Sequence, residues 1–422
     1  MTQAIDFLHA AQRSELAALQ QLVITGDWVR AISGLVHALQ RERGFSNLYL
    51  TSPETRLGAD LAGMVAASSQ AEDRLRRHWD GFVLREEGSA ERVRLLHRLA
   101  LATALLDNLP RLRQRIRERS LDVHAAVSAF THLIAALLSV VFEAADTAVD
   151  PEISAALVAL FNFMHGKELA GQERAAGVIA LAQGQYSSAW HQRLHFLQEG
   201  QVRGFAVCAE FADAASVQAL NQLESAPISQ DVQRFRQVLA KISAESPVDP
   251  ALGQVWFEVC TRRIDALQTV EQRLTDFLAE LGTQKIARAT AALTDQREWL
   301  DRLAALEEPG EFPTLRLYHV QATELDAASL DQPGKLVGRS LLDVLHERNR
   351  HLQTMQDELE SARQSLAERK LIERAKGRIM ALKDWPEEEA YRWLRQQAMS
   401  RGVKLVELAQ QLLSDRSSRL DD

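Results

Sequence analysis

Four arginines occupy positions where a helical apolar stripe calls for a leucine. In Trp28–Leu50, steps of three and four residues give Ile32, Val36, Leu39, Arg43, Asn47 and Leu50, with Ser46 beside Asn47, so Arg43 falls in mid-stripe. Arg41 lies about 200° around the helix from Arg43, so regular geometry does not turn both inward. In Ile153–Ala182 the series is Phe163, Lys167, Ala170-Gly171, Arg174, Val178 and Leu181. Gly171, one turn before Arg174, leaves space beside the guanidinium. In Leu252–Leu281 the series is Trp256, Cys260, Arg263, Leu267 and Val270, which places Arg263, not Arg262, on the apolar side. Arg236 is flanked at helical spacing by Val232, Leu239 and Ala240, with Arg234 on another face.

A buried arginine keeps its charge, so it needs an anion nearby. Two readings stand. Each arginine can form an inter-helix ion pair, since Glu42, Glu168, Glu173, Glu258 and Asp265 are close in sequence. Alternatively, inward arginines from separate helices share one site. Converging guanidiniums offer paired N–H donors in one plane, which suits a small planar oxyanion such as nitrate, nitrite or a carboxylate. Catalysis finds no support: the chain has no nucleophile elbow, phosphate loop, H-E-x-x-H or paired-cysteine motif. No cofactor or metal is expected. Cys208 and Cys260 read as small buried apolar residues, and His9, His37 and His165 as surface or satisfied core residues.

The elements that must carry these residues are helices. Only 10 prolines and 20 glycines punctuate 422 residues, and 46% of the chain is apolar. Long amphipathic stretches cover Trp28–Leu50, Val123–Ala144, Ile153–Ala182, Asp231–Ala244 and Leu252–Leu281. Proline-based breaks fall at Ser52-Pro53, Asp150-Pro151, Ser225–Pro227 and Ser246–Pro250. About eight helices in residues 1–305 suit two four-helix bundles. Residues 306–340, with Glu307-Glu308-Pro309-Gly310 and Asp331-Gln332-Pro333-Gly334, read as a linker. Beyond it, Leu345, Leu352, Leu359 and Leu366 repeat every seven residues. Leu341, Met355 and Ala362 fill the alternate heptad position, with Arg348 a polar exception. That pattern predicts a coiled coil over 341–366 that pairs two chains in parallel, or one helix packing on its own sensor. The fold class is therefore all-α: a two-bundle sensor, a coiled-coil connector and a small C-terminal three-helix domain within 341–422.

Charge separates the two ends. Arg369 to Lys404 holds ten basic and five acidic residues, a net of +5, so the remainder of the −8 chain carries −13. A basic tail on an acidic body suggests a polyanion partner for the tail alone. No apolar run approaches the roughly 20 residues that cross a bilayer. The N-terminus lacks the pattern of a secretory signal. The expectation is a soluble, cytoplasmic protein without a membrane partner.

Three stretches then resemble a known family. Leu39-Gln40-Arg41-Glu42-Arg43-Gly44-Phe45-Ser46, Lys167-Glu168-Leu169-Ala170-Gly171-Gln172-Glu173-Arg174-Ala175, and Trp256-Phe257 with Thr261-Arg262-Arg263-Ile264-Asp265 resemble nitrate- and nitrite-sensing (NIT) domains. The resemblance implies two four-helix bundles with the anion held between them by arginines. Residue by residue it points to Arg43 and Arg174, to Arg236 or Arg263 from a later helix, and to Arg41 as an assistant to Arg43.

Further on, Arg369-Lys370-Leu371-Ile372-Glu373-Arg374-Ala375-Lys376-Gly377-Arg378-Ile379-Met380, then Glu388-Glu389-Ala390-Tyr391, Leu394-Arg395 and Ala398-Met399, resembles the ANTAR domain over about residues 348–413. Trp385-Pro386 departs from its pattern of a small residue followed by Ser or Thr. The resemblance implies an antitermination regulator: nitrate or nitrite is the effector, and the tail binds stem-loops in leader mRNA so that a terminator hairpin fails to form. Lys370, Arg374, Lys376, Arg378 and Arg395 offer a basic face, and Tyr391 and Trp393 offer rings that stack on unpaired bases. Ala398 and Met399 read as core residues, and Tyr391 reads equally as a core residue or an RNA contact. The alternative is a ligand-gated interaction switch whose tail dimerises without binding RNA. A DNA reader is disfavoured, because no helix-turn-helix pattern is visible.

Overall fold

The computed structural model describes residues 2–52, 57–79, 90–148, 150–183, 187–242, 249, 251–305, 367–383, 385 and 387–414. The expected linker 306–340 and coiled coil 341–366 lie outside the described residues. Within them the regular elements are helical: α1 (Thr2–Thr51), α2 (Leu57–Trp79), α3 (Ala90–Asp107), α4 (Leu109–Arg117), α5 (Val123–Thr147), α6 (Pro151–Gln183), α7 (Ser188–Phe211), α8 (Ala214–Ser225), α9 (Pro227–Leu239) and α10 (Ala251–Ala305). Then come α11 (residues 367–383), α12 (Glu387–Arg401) and α13 (Leu405–Ser414).

Local chemistry sets many of these ends. Asp122, Ser187 and Asp213 accept hydrogen bonds from the first free backbone N–H groups of α5, α7 and α8. Proline stands in the first turn of α4, α6 and α9, where its missing N–H costs nothing. The expected eight sensor helices are ten. Pro110 restarts the chain after Asn108 and separates α3 from α4, and the Ser225–Pro227 break separates α8 from α9. The last of these stops at Leu239, short of the expected Ala244, while α10 runs well past Leu281.

One group of helices comprises α1, α2, α5 and α3 continued by α4; the other comprises α6, α7, α8–α9 and α10. α1 belongs to both, because it also packs on α6 and α10. The central helix α5 corrects one expectation. Val123–Ala145 is long and apolar enough to cross a membrane, with mean hydropathy 2.1. Its apolar residues are spread around the helix because it packs on α1, α3 and α6 at once. Phe130, Leu133, Ile134, Leu137 and Val141 are buried there.

The three C-terminal helices have a separate core of Ala375, Ile379, Ala390, Leu394, Ala398, Leu408 and Ala409. Met399, read as core, is 74% exposed. It lies one residue, about 100°, beyond buried Ala398, which turns it off the apolar stripe. Gly402, at φ +64°, ends α12 in the left-handed conformation that glycine adopts without a Cβ clash.

α6 and α7 approach closely over glycines. A Cβ on Gly204 would lie 2.9 Å from the Asn162 carbonyl oxygen and 3.3 Å from the Gly166 Cα, backbone atoms that cannot step aside. In isolation, Gly204→Ala gains about 1 kcal/mol of helix propensity. Overpacking here costs about 1–3 kcal/mol. The net outcome is a lower Tm by circular dichroism; a higher Tm would contradict this packing.

Candidate functional site

Arg43 on α1 and Arg174 on α6 face each other across the junction of the two helical groups, and each lies over a glycine of the opposing helix. A Cβ on Gly171 would come 2.5 Å from Arg43 Nη2, and a Cβ on Gly44 would come 2.5 Å from Arg174 Nη2. Both guanidiniums are essentially sealed from solvent, at 0% and 1% exposure. Their partners differ in kind. Arg43 donates to both oxygens of Glu168, at 2.5 and 3.1 Å, and to Thr131 Oγ1 at 3.0 Å. Gln40 and Gln172 complete the Glu168 carboxylate, at 2.9 and 3.0 Å.

Arg174 has neutral acceptors instead: Thr261 Oγ1 at 2.7 Å and the Gln40 carbonyl at 2.7 Å. The Phe257 ring covers one face of its guanidinium, 4.9 Å away. Among the described residues no carboxylate pairs with it, and its Nε has no hydrogen-bond partner. Burial, and then the neighbouring Arg43 charge, lower its pKa to about 10, so it remains cationic at neutral pH. The surroundings are electropositive as well. His37, on α1, has its pKa lowered to about 3 by burial and then by Lys167, Arg41 and Arg174. Burial is the main cause of that neutrality, and Asp265 lies 3.8 Å from the His37 Nε2. Arg41, about 200° around α1 from Arg43, also has a buried Nε without a hydrogen-bond partner.

Arg236 and Arg263 gather in a second cluster. Arg236 binds Glu173 through Nε at 2.7 Å and Nη2 at 2.5 Å, and it reaches Gln201 Oε1 at 3.0 Å. Arg263 donates to the same Gln201 oxygen at 2.9 Å and to Glu224 at 2.9 Å. Lys167 pairs with Glu271 at 2.5 Å, both fully buried. The fold thus brings Arg43 and Arg174 together and gathers Arg236 of α9 and Arg263 of α10 around Gln201 of α7. The ion-pair reading describes Arg43, Arg236 and Arg263; Arg174 is the exception.

The basic residues of the C-terminal domain also divide. Lys376 is buried and bonds Glu373 and Glu387 at 2.6 and 2.8 Å. Arg378 caps the end of α13 through the Leu412 carbonyl at 2.6 Å. Neither stands on an open basic face. Tyr391, Arg395 and Lys370 turn toward the sensor. Arg395 spans both oxygens of Glu199 at 2.9 Å. Tyr391 meets Phe196 edge-on at 5.6 Å with Arg203 over its ring at 4.9 Å, and Lys370 lies 6.0 Å from Phe142. Arg369, next to Lys370, donates to Asn162. Arg374 is exposed at the edge of a cavity of about 1110 Å³ between α5, α6, α7 and the C-terminal domain.

Several residues of the site carried no readable signal. Gln40, Thr131, Thr261 and Gln201 are ordinary polar residues until the helices cross, and Phe196 and Glu199 matter only once α12 docks on α7. Gly44 was legible within its motif, but its purpose appears only when Arg174 lies on it.

The two arginines therefore respond differently to substitution in anion-free buffer. Glu168→Ala strands the Arg43 charge in the core and costs about 3–5 kcal/mol. Arg174→Met removes a charge with no counter-ion and costs less than half as much. Urea unfolding of both variants measures this; equal losses would mean that Arg174 is paired as firmly as Arg43.

The model of the nitrate and nitrite sensing (NIT) family matches residues 34–279, and that of the ANTAR domain matches 360–413. The nitrate regulatory protein of Klebsiella oxytoca is 30% identical over 413 residues, spanning 98% of this chain and 95% of that protein. A solved structure, described as that of the NasR transcription antiterminator, is similar with a TM-score of 0.61 and 28% identity over 98% of each chain. With a sensor whose inward arginines meet at a helix junction and a three-helix module behind it, the chain belongs to the nitrate- and nitrite-sensing family and carries a C-terminal ANTAR domain.

Proposed function

We propose that this protein is a cytoplasmic, nitrate- or nitrite-responsive regulator of transcription antitermination, and that it acts by binding alone, without catalysis or a cofactor. The observation that carries the proposal is the unpaired charge of Arg174. Arg43 has Glu168, Arg236 has Glu173, Arg263 has Glu224 and Lys167 has Glu271. Of these five inward cations Arg174 alone has no carboxylate among the described residues, and one small monovalent anion neutralises it. Arg174 Nε and the Arg43 guanidinium face that anion, with Arg41 beyond. The second cluster then tunes the site without touching the ligand.

Two further observations support the gating. The C-terminal domain rests on α7 through Arg395–Glu199 and Tyr391–Phe196, contacts that hold a basic and an aromatic side chain away from any RNA. The same helix turns Gln198 and Gln201 the other way, onto Glu173, the residue before Arg174. On our reading, an anion at Arg174 draws α1, α6 and α10 together and shifts α7 through this clamp. The docked state then loses its advantage, as any ligand preferring one of two states requires. The freed domain binds stem-loops of a leader mRNA, two chains pairing through 341–366, and a terminator hairpin does not form. The names of the two relatives, a nitrate regulatory protein and an antiterminator, support this assignment.

Calorimetry on the full chain tests the sensor. Nitrate, nitrite or both bind, the dianion sulfate does not, and Arg174→Ala folds but gives no heat of binding. Retention of wild-type affinity in Arg174→Ala would sink the assignment. Filter binding tests the output: leader RNA is held in a salt-dependent way, more tightly with ligand, and Glu199→Ala raises ligand-free binding several-fold. RNA binding absent in every state points instead to a dimerisation switch.

A further inference from the structure

The C-terminal domain carries an aromatic cluster on the side that the sensor leaves open. Lys383, in the last turn of α11, lies 4.8 Å from the Trp385 ring and 5.5 Å from the Trp393 ring. All three side chains are half-buried, the indoles resting one edge on the domain core. On α12 the core positions are Ala390 and Leu394. Tyr391, which meets the sensor, lies about 100° to one side of Ala390, and Trp393 lies about 60° to the other side. Among the described residues, α12 meets the sensor through Tyr391 and Arg395, and none of those contacts involves Trp393, Trp385 or Lys383.

We propose that Lys383, Trp385 and Trp393 form a stacking site for unpaired RNA bases, and that this site is open while the sensor still covers Tyr391 and Arg395. The inference rests on the RNA-binding reading and adds to it where the bases go. Two half-buried indoles that share one flexible ammonium over their rings supply what single-stranded nucleic acid needs once the lysine swings to a phosphate: a ring for a base π-face and a positive charge for the backbone. A rim tryptophan that serves packing alone has no need of a lysine held between it and a second tryptophan. Trp385 also stands where ANTAR domains usually carry a small residue, so the platform is a feature of this chain. RNA recognition then has two parts. Loop bases engage the indoles weakly at any time, and Tyr391 with Arg395 joins after release, which converts a loose encounter into a held complex.

The test uses the full chain without nitrate or nitrite. Hexaadenylate, a short unpaired probe, quenches part of the tryptophan emission, and Trp385→Ala or Trp393→Ala removes that quenching. In the ligand-activated protein, the same substitutions weaken leader RNA binding by about fivefold to a hundredfold, the range for loss of one base–aromatic stack. Lys383→Glu alters no core position and weakens both probes, so it serves if an alanine variant unfolds by circular dichroism. Leader RNA bound by the variants at wild-type affinity, with no quenching by hexaadenylate, overturns the platform and leaves the RNA-binding reading intact. Failure of the wild-type chain to bind any RNA removes both.

Discussion

A guanidinium in a protein interior cannot give up its proton at neutral pH, and the sensor depends on that constraint at Arg174. Arg43, Lys167, Arg236 and Arg263 each meet a carboxylate. Arg174 is held by a hydroxyl, a backbone carbonyl and the face of Phe257 instead. Such groups orient the side chain but do not cancel its charge. Gly44 and Gly171 let α1 and α6 approach until the two guanidiniums lie side by side, an arrangement that repulsion opposes. The Arg43–Glu168 pair makes it tolerable, by neutralising one of the two. The sensor thus carries an electrostatic imbalance at the junction of its helical groups, which on the proposed reading a small anion relieves.

That junction is also where a local change travels a short way to the output. Glu173 and Arg174 are adjacent on α6, yet they face different partners. Arg174 faces α1 and α10, while Glu173 gathers Arg236 of α9 with Gln198 and Gln201 of α7. A rotation of α6 would therefore act on α7 directly, as the proposed gating requires. At Gly204 the α7 backbone lies directly on the α6 backbone at Asn162 and Gly166, with no side chain between them to absorb a displacement.

Much of this was legible in the sequence. The all-helical class followed from apolar periodicity and scarce proline. The inward phase of Arg43, Arg174, Arg236 and Arg263 followed from stepping along each stripe, and all four are buried or nearly so. Their partition was not legible. Whether an arginine meets Glu168, Glu173 or nothing depends on helix crossings between residues more than 60 apart, and periodicity fixes phase without fixing partners. Lys376 and Arg378 show the same limit at the C-terminus. Net charge marked the segment as basic, but two of its charges close the domain's own helices. The apolar run of α5 was misjudged because a helix packed on three sides needs no polar face.

The docking contacts are weak one by one, and the proposed switch requires it. The Arg395–Glu199 pair is half exposed on one side, and exposed pairs contribute at most about 1 kcal/mol. Moving a two-state balance from 1:99 to 99:1 takes about 5.5 kcal/mol of differential ligand binding. A domain buried on the sensor through a large apolar face would exceed what one small anion can reverse. Instead the docking is divided among an ion pair, an edge-on ring contact and cationic side chains over Phe161, Phe142 and Tyr391. All but the Phe142 contact, which is on α5, involve residues of α6 or α7 and loosen with a small displacement of those helices. One charge neutralised at Arg174 is of the right size to decide a balance built from such contacts.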